Sequence, residues 1–306
     1  MNEPKSLAGH WPAMLTPVDA HGRIDTARAV AHGRRLLAAG SAGLTLFGTT
    51  GEGTAFTLAQ RQALVEAMIA AGIAGARLVV NLTALAIDDS IELGRHAMRH
   101  RTAGTMLMPP FFFNAPRDAG VVEAVSQIIR GIGDDGLRVL LYHFPAQCTV
   151  SFSHAAIAEL VRRHPAQVVG VKDSAGDLEH SLGLTRAFPR LTILVGCEPH
   201  VAPVMRAGGA GSINGLANVA PRLMQRVIDH PQHVAPHDQA CMHALLALLS
   251  VRPGMPFVSV YKTILAEQTG DAAWLNVCAP LDPLDNTEAR AVREGYRALA
   301  LDAATL

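Results

Sequence analysis

The chain is poor in lysine. Its 26 basic residues include only three lysines, Lys5, Lys172 and Lys262. Lys and Arg together are matched by 26 Asp and Glu, so the formal charge is zero. That balance gives no basic stripe for nucleic acid and no polybasic patch for an anionic membrane. Cysteine is also scarce: Cys148, Cys197, Cys241 and Cys278 are scattered, with no C-x-x-C pair. Such spacing excludes a thiolate zinc knuckle and reads as reduced thiols in a cytoplasmic protein. No apolar run reaches the ~18 residues of a membrane span. The N-terminal MNEPKSLAGHWPAMLTP lacks the basic start and apolar block of a secretion signal. A G-x-G-x-x-G turn after the first strand is missing as well, which argues against a dinucleotide-binding fold.

What is present is apolar patterning. Of 306 residues, 49% are hydrophobic and 17% charged, enough for a sizeable core. Short apolar runs alternate with longer amphipathic ones. WPAMLTPV, AGLTLFGTT, ARLVVNLTA, GTMLMPP, RVLLYHFP, QVVGVKDS, LTILVGCE and GAGSINGLA read as strands. Each is followed by a helical segment, with Gly40 and Gly72 closing the first two, Asp88 or Asp89 capping the third and Ser153 the fifth. Strands apolar throughout are expected when both faces of a parallel sheet are buried. Eight such units predict a (β/α)₈ TIM barrel over residues 1–235. The segments HDQACMHALLALL, FVSVYKTILAEQ and TEARAVREGYRALAL predict a C-terminal helical extension over 236–306.

In such barrels the chemistry sits at the C-terminal ends of the strands. Lys172 stands there, in VVGVKDSAGD. A buried amine loses its charge more readily, and a neutral amine can attack a ketone to form a Schiff base. A salt bridge to Asp173 or Asp177 is the plainer alternative, although Asp173, as the adjacent residue, faces the other side of the strand. Tyr142 ends the fifth strand, next to the sixth, where its phenol can relay protons or simply fill the core. GTTGEG, residues 48–53, offers backbone N–H groups and two hydroxyls, either as an anion nest or as an ordinary glycine turn. GGAGSING, residues 208–215, contains no basic residue, which disfavours a phosphate site. His96 and His100 are spaced i, i+4, but their segment supplies no acid at a useful distance and they read as a solvated surface pair. His230, His233 and His237 lie in a Pro-rich loop without cysteine partners, so no metal is expected.

Taken together, GTTGE after strand 2, Y-x-x-P ending strand 5 and G-V-K-D on strand 6 resemble the dihydrodipicolinate synthase / N-acetylneuraminate lyase family, across roughly residues 10–300. The resemblance implies a class I aldolase or related lyase acting on pyruvate or another 2-oxo acid and an aldehyde, without metal or other cofactor. It implies that Lys172 is the Schiff-base lysine and that Tyr142 and Thr49 relay protons. Thr50, with Gly48 and the loop amides, would hold the carboxylate, and Gly196 and Ile213 would line the site. It also implies a homotetramer built as a dimer of dimers. Two positions depart from the synthase pattern. Gln147 stands where an arginine grips the carboxylate of aspartate semialdehyde, and a neutral amide lacks that bidentate charged grip. Phe112 stands where a tyrosine completes the relay across a subunit interface, and it has no hydroxyl. These departures count against lysine-pathway synthase activity, and the VKDS sequence resembles more the members that cleave or dehydrate 2-keto-3-deoxy sugar acids, which are the favoured substrates. True 4-hydroxy-tetrahydrodipicolinate synthase activity and a non-catalytic 2-oxo-acid-binding protein are the alternatives. The second-substrate pocket is expected to involve Phe111, Phe112, Phe113, His143, Gln147, Ser174 and Asn214, with interface packing as the competing role for the three phenylalanines.

Overall fold

The structure, a computed structural model, describes residues 7–253, 257–302, 305 and 306. Among these residues eight parallel strands alternate with helices: β1 Gly9–His10, α1 Thr26–Ala38, β2 Leu44–Leu46, α2 Leu58–Ala70, β3 Leu78–Asn81, α3 Ile87–Arg99, β4 Gly104–Leu107, α4 Asp118–Ile132 and β5 Val139–His143. The chain continues through α5 Pro145–Cys148, α6 His154–Arg163, β6 Val168–Asp173, α7 Leu178–Ala187, β7 Thr192–Val195, α8 Val201–Arg206, β8 Gly211–Ser212 and α9 Pro221–Asp229. Three further helices follow, α10 Pro236–Ala247, α11 Phe257–Thr269 and α12 Asn286–Ala298.

The strands hydrogen-bond in the order β1-β8-β7-β6-β5-β4-β3-β2. The sheet closes through a parallel bridge between Ala13 and Thr45, where Thr45 N–H donates to the Pro12 carbonyl at 2.9 Å and Met14 N–H to the Thr45 carbonyl at 3.0 Å. This is a TIM barrel with added C-terminal helices. The regular part of the first strand is shorter than WPAMLTPV and starts earlier. Pro12 and Pro17 have no N–H to give a ladder, so past His10 the pairing is broken up: Trp11 N–H donates to the Ser212 carbonyl and Ala13 N–H to the Asn214 carbonyl, both at 2.9 Å, beside the bridge to Thr45. Gly40 and Gly72 follow α1 and α2 in left-handed backbone (φ 102° and 86°), as expected for a helix stop. The cap of α3 departs from expectation. Its N-cap is Ala86, without a side-chain bond, and Asp88 and Asp89 fall inside the first turn, where their charge suits the helix dipole. The turn α5 has no counterpart in the sequence reading. Pro145 opens it at a first-turn position that needs no N–H donor.

Strand parity sorts the side chains into two layers. Trp11, Ala13, Val79, Met106, Leu140, Tyr142, Leu194 and Ile213 form a cluster inside the barrel. Val80, Leu107, Leu141, Val171 and Val195 join the larger cluster between barrel and helices. That larger cluster also includes Val258, Val260, Tyr261 and Ile264 of α11, so the extension shares the core of the barrel.

Candidate active site

Lys172 pairs in register with Tyr142 on β5 and Leu194 on β7, both members of the interior cluster. Parity therefore turns the lysine into the barrel and Asp173 out of it. Asp173 spends its carboxylate on the helix layer, accepting from Ser181 Oγ at 2.6 Å, His180 Nδ1 at 3.0 Å and Ala175 N–H at 3.1 Å. The salt bridge weighed for Lys172 with Asp173 does not form. Burial lowers the Lys172 pKa to about 7, against a smaller opposing pull from Glu198. Its Nζ sits 3.9 Å from the centre of the Tyr142 ring.

Tyr142 is buried, and its hydroxyl lies 3.0 Å from Thr49 Oγ1. Burial pushes its pKa up to about 12, with hydrogen bonds from Thr49 and Ser174 acting the other way, so the phenol keeps its proton at neutral pH. Lys172, Tyr142, Thr49, Thr50, Gly196 and Ile213 all line one cavity of about 310 Å³ at the C-terminal mouth of the barrel. At Gly196 a Cβ would lie 2.2 Å from Ser174 Oγ, so only glycine lets the β7 loop approach this closely.

The loop carrying Thr49 and Thr50 is fixed from behind. Glu52 N–H donates to the Thr49 carbonyl at 3.1 Å, and Gly53 N–H to the Gly48 carbonyl at 3.2 Å. Glu52 adopts left-handed backbone (φ 54°) and places its carboxylate in the core. There it pairs with the fully buried Lys262 of α11 and accepts Cys278 N–H at 2.6 Å. Lys262 also donates to the Asn276 carbonyl at 2.8 Å. The two described lysines thus have opposite roles: one is unpaired and weakly basic inside the barrel, the other is a structural ion-pair partner.

Not every expected residue reaches the cavity. Gly48 and Gln147 line an adjoining cleft of about 210 Å³ that meets the first at Thr49. His143 is turned by parity to the outer face of β5, where its Nδ1 accepts Phe152 N–H at 3.2 Å and its ring stacks on His180 with centroids 4.5 Å apart. Burial lowers its pKa to about 4. This placement argues against direct substrate contact. Phe112 is 70% exposed and lines a separate apolar cleft with Phe111, Phe113 and Leu85. Of the other expected pocket residues, Ser174 and Asn214 do line the main cavity.

The sequence reading missed Glu198 and Tyr261. Glu198 follows β7, is buried in the cavity wall and accepts Leu216 N–H at 3.1 Å. Burial raises its pKa, against backbone N–H groups and Lys172 that pull it down. Tyr261, from α11, faces the same cavity with Phe257 and Leu249. An acid in a loop after a strand carries no signal of its own. Only its position opposite Lys172 makes it notable.

A family model for the dihydrodipicolinate synthetase family matches residues 6–298. The chain belongs to the dihydrodipicolinate synthetase family. It is 34% identical to 4-hydroxy-tetrahydrodipicolinate synthase 1 of Streptomyces coelicolor over 220 residues, 71% of this chain and 69% of that protein. The dihydrodipicolinate synthase of Agrobacterium tumefaciens superposes with a TM-score of 0.89 at 31% identity, covering 95% of this chain and 99% of that one. A prophage protein of the same family from Escherichia coli K12, solved with pyruvate, shares the fold with a TM-score of 0.87 at 22% identity, over 97% and 99% of the two chains. The chain is accordingly a lyase of the class I aldolase type. All four cysteines of this family member are free thiols. Among its described residues no helix is long and apolar enough to cross a membrane.

Proposed function

We propose that Lys172 forms a Schiff base with pyruvate or a longer 2-oxo acid, and that the favoured substrates are 2-keto-3-deoxy sugar acids. The observation that carries this reading is a buried amine of pKa about 7 in the cavity, against Tyr142 and within reach of a hydroxyl-bearing loop. A sizeable fraction of such an amine is neutral at pH 7 and can attack C2 of the ketone. The C–N bond forms, the carbonyl oxygen takes protons through Tyr142 and Thr49, and water leaves the carbinolamine. The protonated imine then withdraws electrons. The C3–C4 bond breaks, the C4 hydroxyl proton passes to the relay, an aldehyde departs and an enamine remains. Protonation of the enamine at C3 and hydrolysis of the imine return pyruvate and the free lysine. The face of the Tyr142 ring, 3.9 Å from the amine, suits the cationic iminium. Thr50 and the loop amides would hold the carboxylate.

The polar groups facing the rest of the cavity, Ser174, Glu198 and Asn214, support a hydroxylated chain beyond C3. Similarity to named synthases favours a second reading, condensation of pyruvate with aspartate semialdehyde. Gln147 counts against it, being uncharged and in the adjoining cleft. The exposed, edge-to-face Phe112 and Phe113, beside exposed Leu85, suit burial against another copy of the chain and support the expected homotetramer.

Incubation with pyruvate and borohydride should add the mass of the reduced adduct to the Lys172 peptide. An unmodified peptide would overturn the proposal. Among 2-keto-3-deoxy acids, at least one should release pyruvate faster than aspartate semialdehyde consumes it. Tyr142→Phe removes the hydroxyl while leaving the ring over Lys172. Turnover should drop about 10²–10⁴-fold, while a slow borohydride-trapped adduct persists. Unchanged turnover would remove Tyr142 from the relay.

A further inference from the structure

Glu66 of α2 and His96 and His100 of α3 converge on the outer wall of the barrel. His96 Nε2 lies 3.0 Å from Glu66 Oε1, and His100 Nε2 lies 4.0 Å from the same oxygen. The two imidazoles, one helical turn apart, have centroids 4.5 Å apart. All three candidate donor atoms lie within 4.8 Å of one another. We propose that these three residues bind a divalent transition metal of the Zn²⁺ class. The sequence offered the histidine pair but no acid near it. The fold supplies the acid from the neighbouring helix, 30 residues away, and buries His96, which is not the solvated residue its helix pattern suggested.

The geometry suits the ion. Zinc bound at about 2.0–2.2 Å to nitrogen and oxygen in a tetrahedron holds its donors about 3.3–3.5 Å apart. The 3.0 and 4.0 Å separations straddle that spacing, so small side-chain rotations would close the site. Two imidazoles and one carboxylate are a common donor set for zinc, and a fourth position stays open to water. The site is reachable, because the Glu66 and His100 side chains are 58% and 28% exposed. Partial burial, and then His96, lowers the basicity of His100. Arg99 is the neighbouring cation and weakens the site, while the Glu66 carboxylate offsets it. Bound metal would replace the His96–Glu66 hydrogen bond and clamp α2 to α3.

A second trio, His143, Asp173 and His180, also lies within that distance but is a poorer host. Its two rings stack nearly parallel, 17° apart, so their in-plane lone pairs run side by side. The Asp173 oxygens are already engaged by Ser181, His180 and Ala175.

The test is calorimetric titration of the chelator-stripped full chain with Zn²⁺, alongside thermal unfolding. One ion per chain should bind and raise Tm by several degrees at saturation. His100→Ala and Glu66→Gln, both at accessible positions, should each weaken binding at least about tenfold. His180→Asn should leave binding intact. Absence of a stoichiometric ion, binding indifferent to both His100→Ala and Glu66→Gln, or loss in His180→Asn would each overturn the proposal. Pyruvate trapping on Lys172 should persist in His100→Ala, so this test and that of the catalytic reading fail separately.

Discussion

Replacing Lys172 by methionine should abolish catalysis and stabilise the protein. Methionine is unbranched and fills similar space without an ammonium to bury. With the proposed imine-forming amine gone from the cavity, turnover should fall at least about 10⁴-fold and borohydride should trap no adduct there. The stability effect follows from the lowered pKa. In the folded chain Lys172 holds its proton only below about 7, against 10.5 ordinarily. Between those values the unfolded chain binds more protons, so stability rises with pH across that window, and below pH 7 the full cost of burying the charge is present. At pH 7 that cost has an upper value of roughly 4 kcal/mol. The variant should therefore melt higher than the wild type at pH 7, with the difference shrinking as pH climbs towards 10. A lower melting temperature would mean that the lysine is structural. In the wild type, imine formation should accelerate as pH rises through about 7 and then level off. An ordinary lysine would keep gaining until well above pH 9.

Lys262→Met should do the reverse and damage the fold. Lys262 and Glu52 are both buried, and the carboxylate has no water to turn to once its partner is gone. Breaking a buried pair from one side costs about 3–5 kcal/mol. The double variant Glu52→Gln, Lys262→Met should recover a good part of that loss, because no charge is left stranded. Urea or thermal unfolding of the four proteins gives the coupling directly. If the single and double variants are equally unstable, the pair has no special role. The position adds a catalytic readout. Glu52 anchors the turn carrying Thr49 and Thr50, and Lys262 ties that turn to α11, which also presents Tyr261 to the cavity. Pyruvate trapping by Lys262→Met should need more substrate, with the chemistry at Lys172 intact.

Most of the architecture was legible because it rests on local physics. Continuous apolar runs betray strands buried on both faces, and glycines in left-handed backbone mark helix stops. The misreadings were local too. Prolines thinned the first strand, and α5 was too short to leave a periodic signal. Lys172 and Tyr142 were legible as residues facing one cavity because they stand on adjacent strands, where parity assigns direction. His143, expected in the pocket, follows Tyr142 on β5 and therefore faces the other way.

The sequence by itself determined that Lys172 and Asp173 point to opposite faces of one strand, and that a lysine there sits at the chemical end of the barrel. Strand geometry has a period of two and needs no partner to express it. Only the tertiary structure decided what shares a cavity with that amine: Tyr142 from the neighbouring strand, Glu198 from the β7 loop and Tyr261 from a helix nearly ninety residues on. It likewise separated Lys262 from Lys172 in function, by giving Lys262 a directly bonded carboxylate, Glu52, and leaving Lys172 only the weaker pull of Glu198. The reason is physical. The cost of burying a charge depends on which groups surround it, and contacts between distant segments exist only once the core has formed.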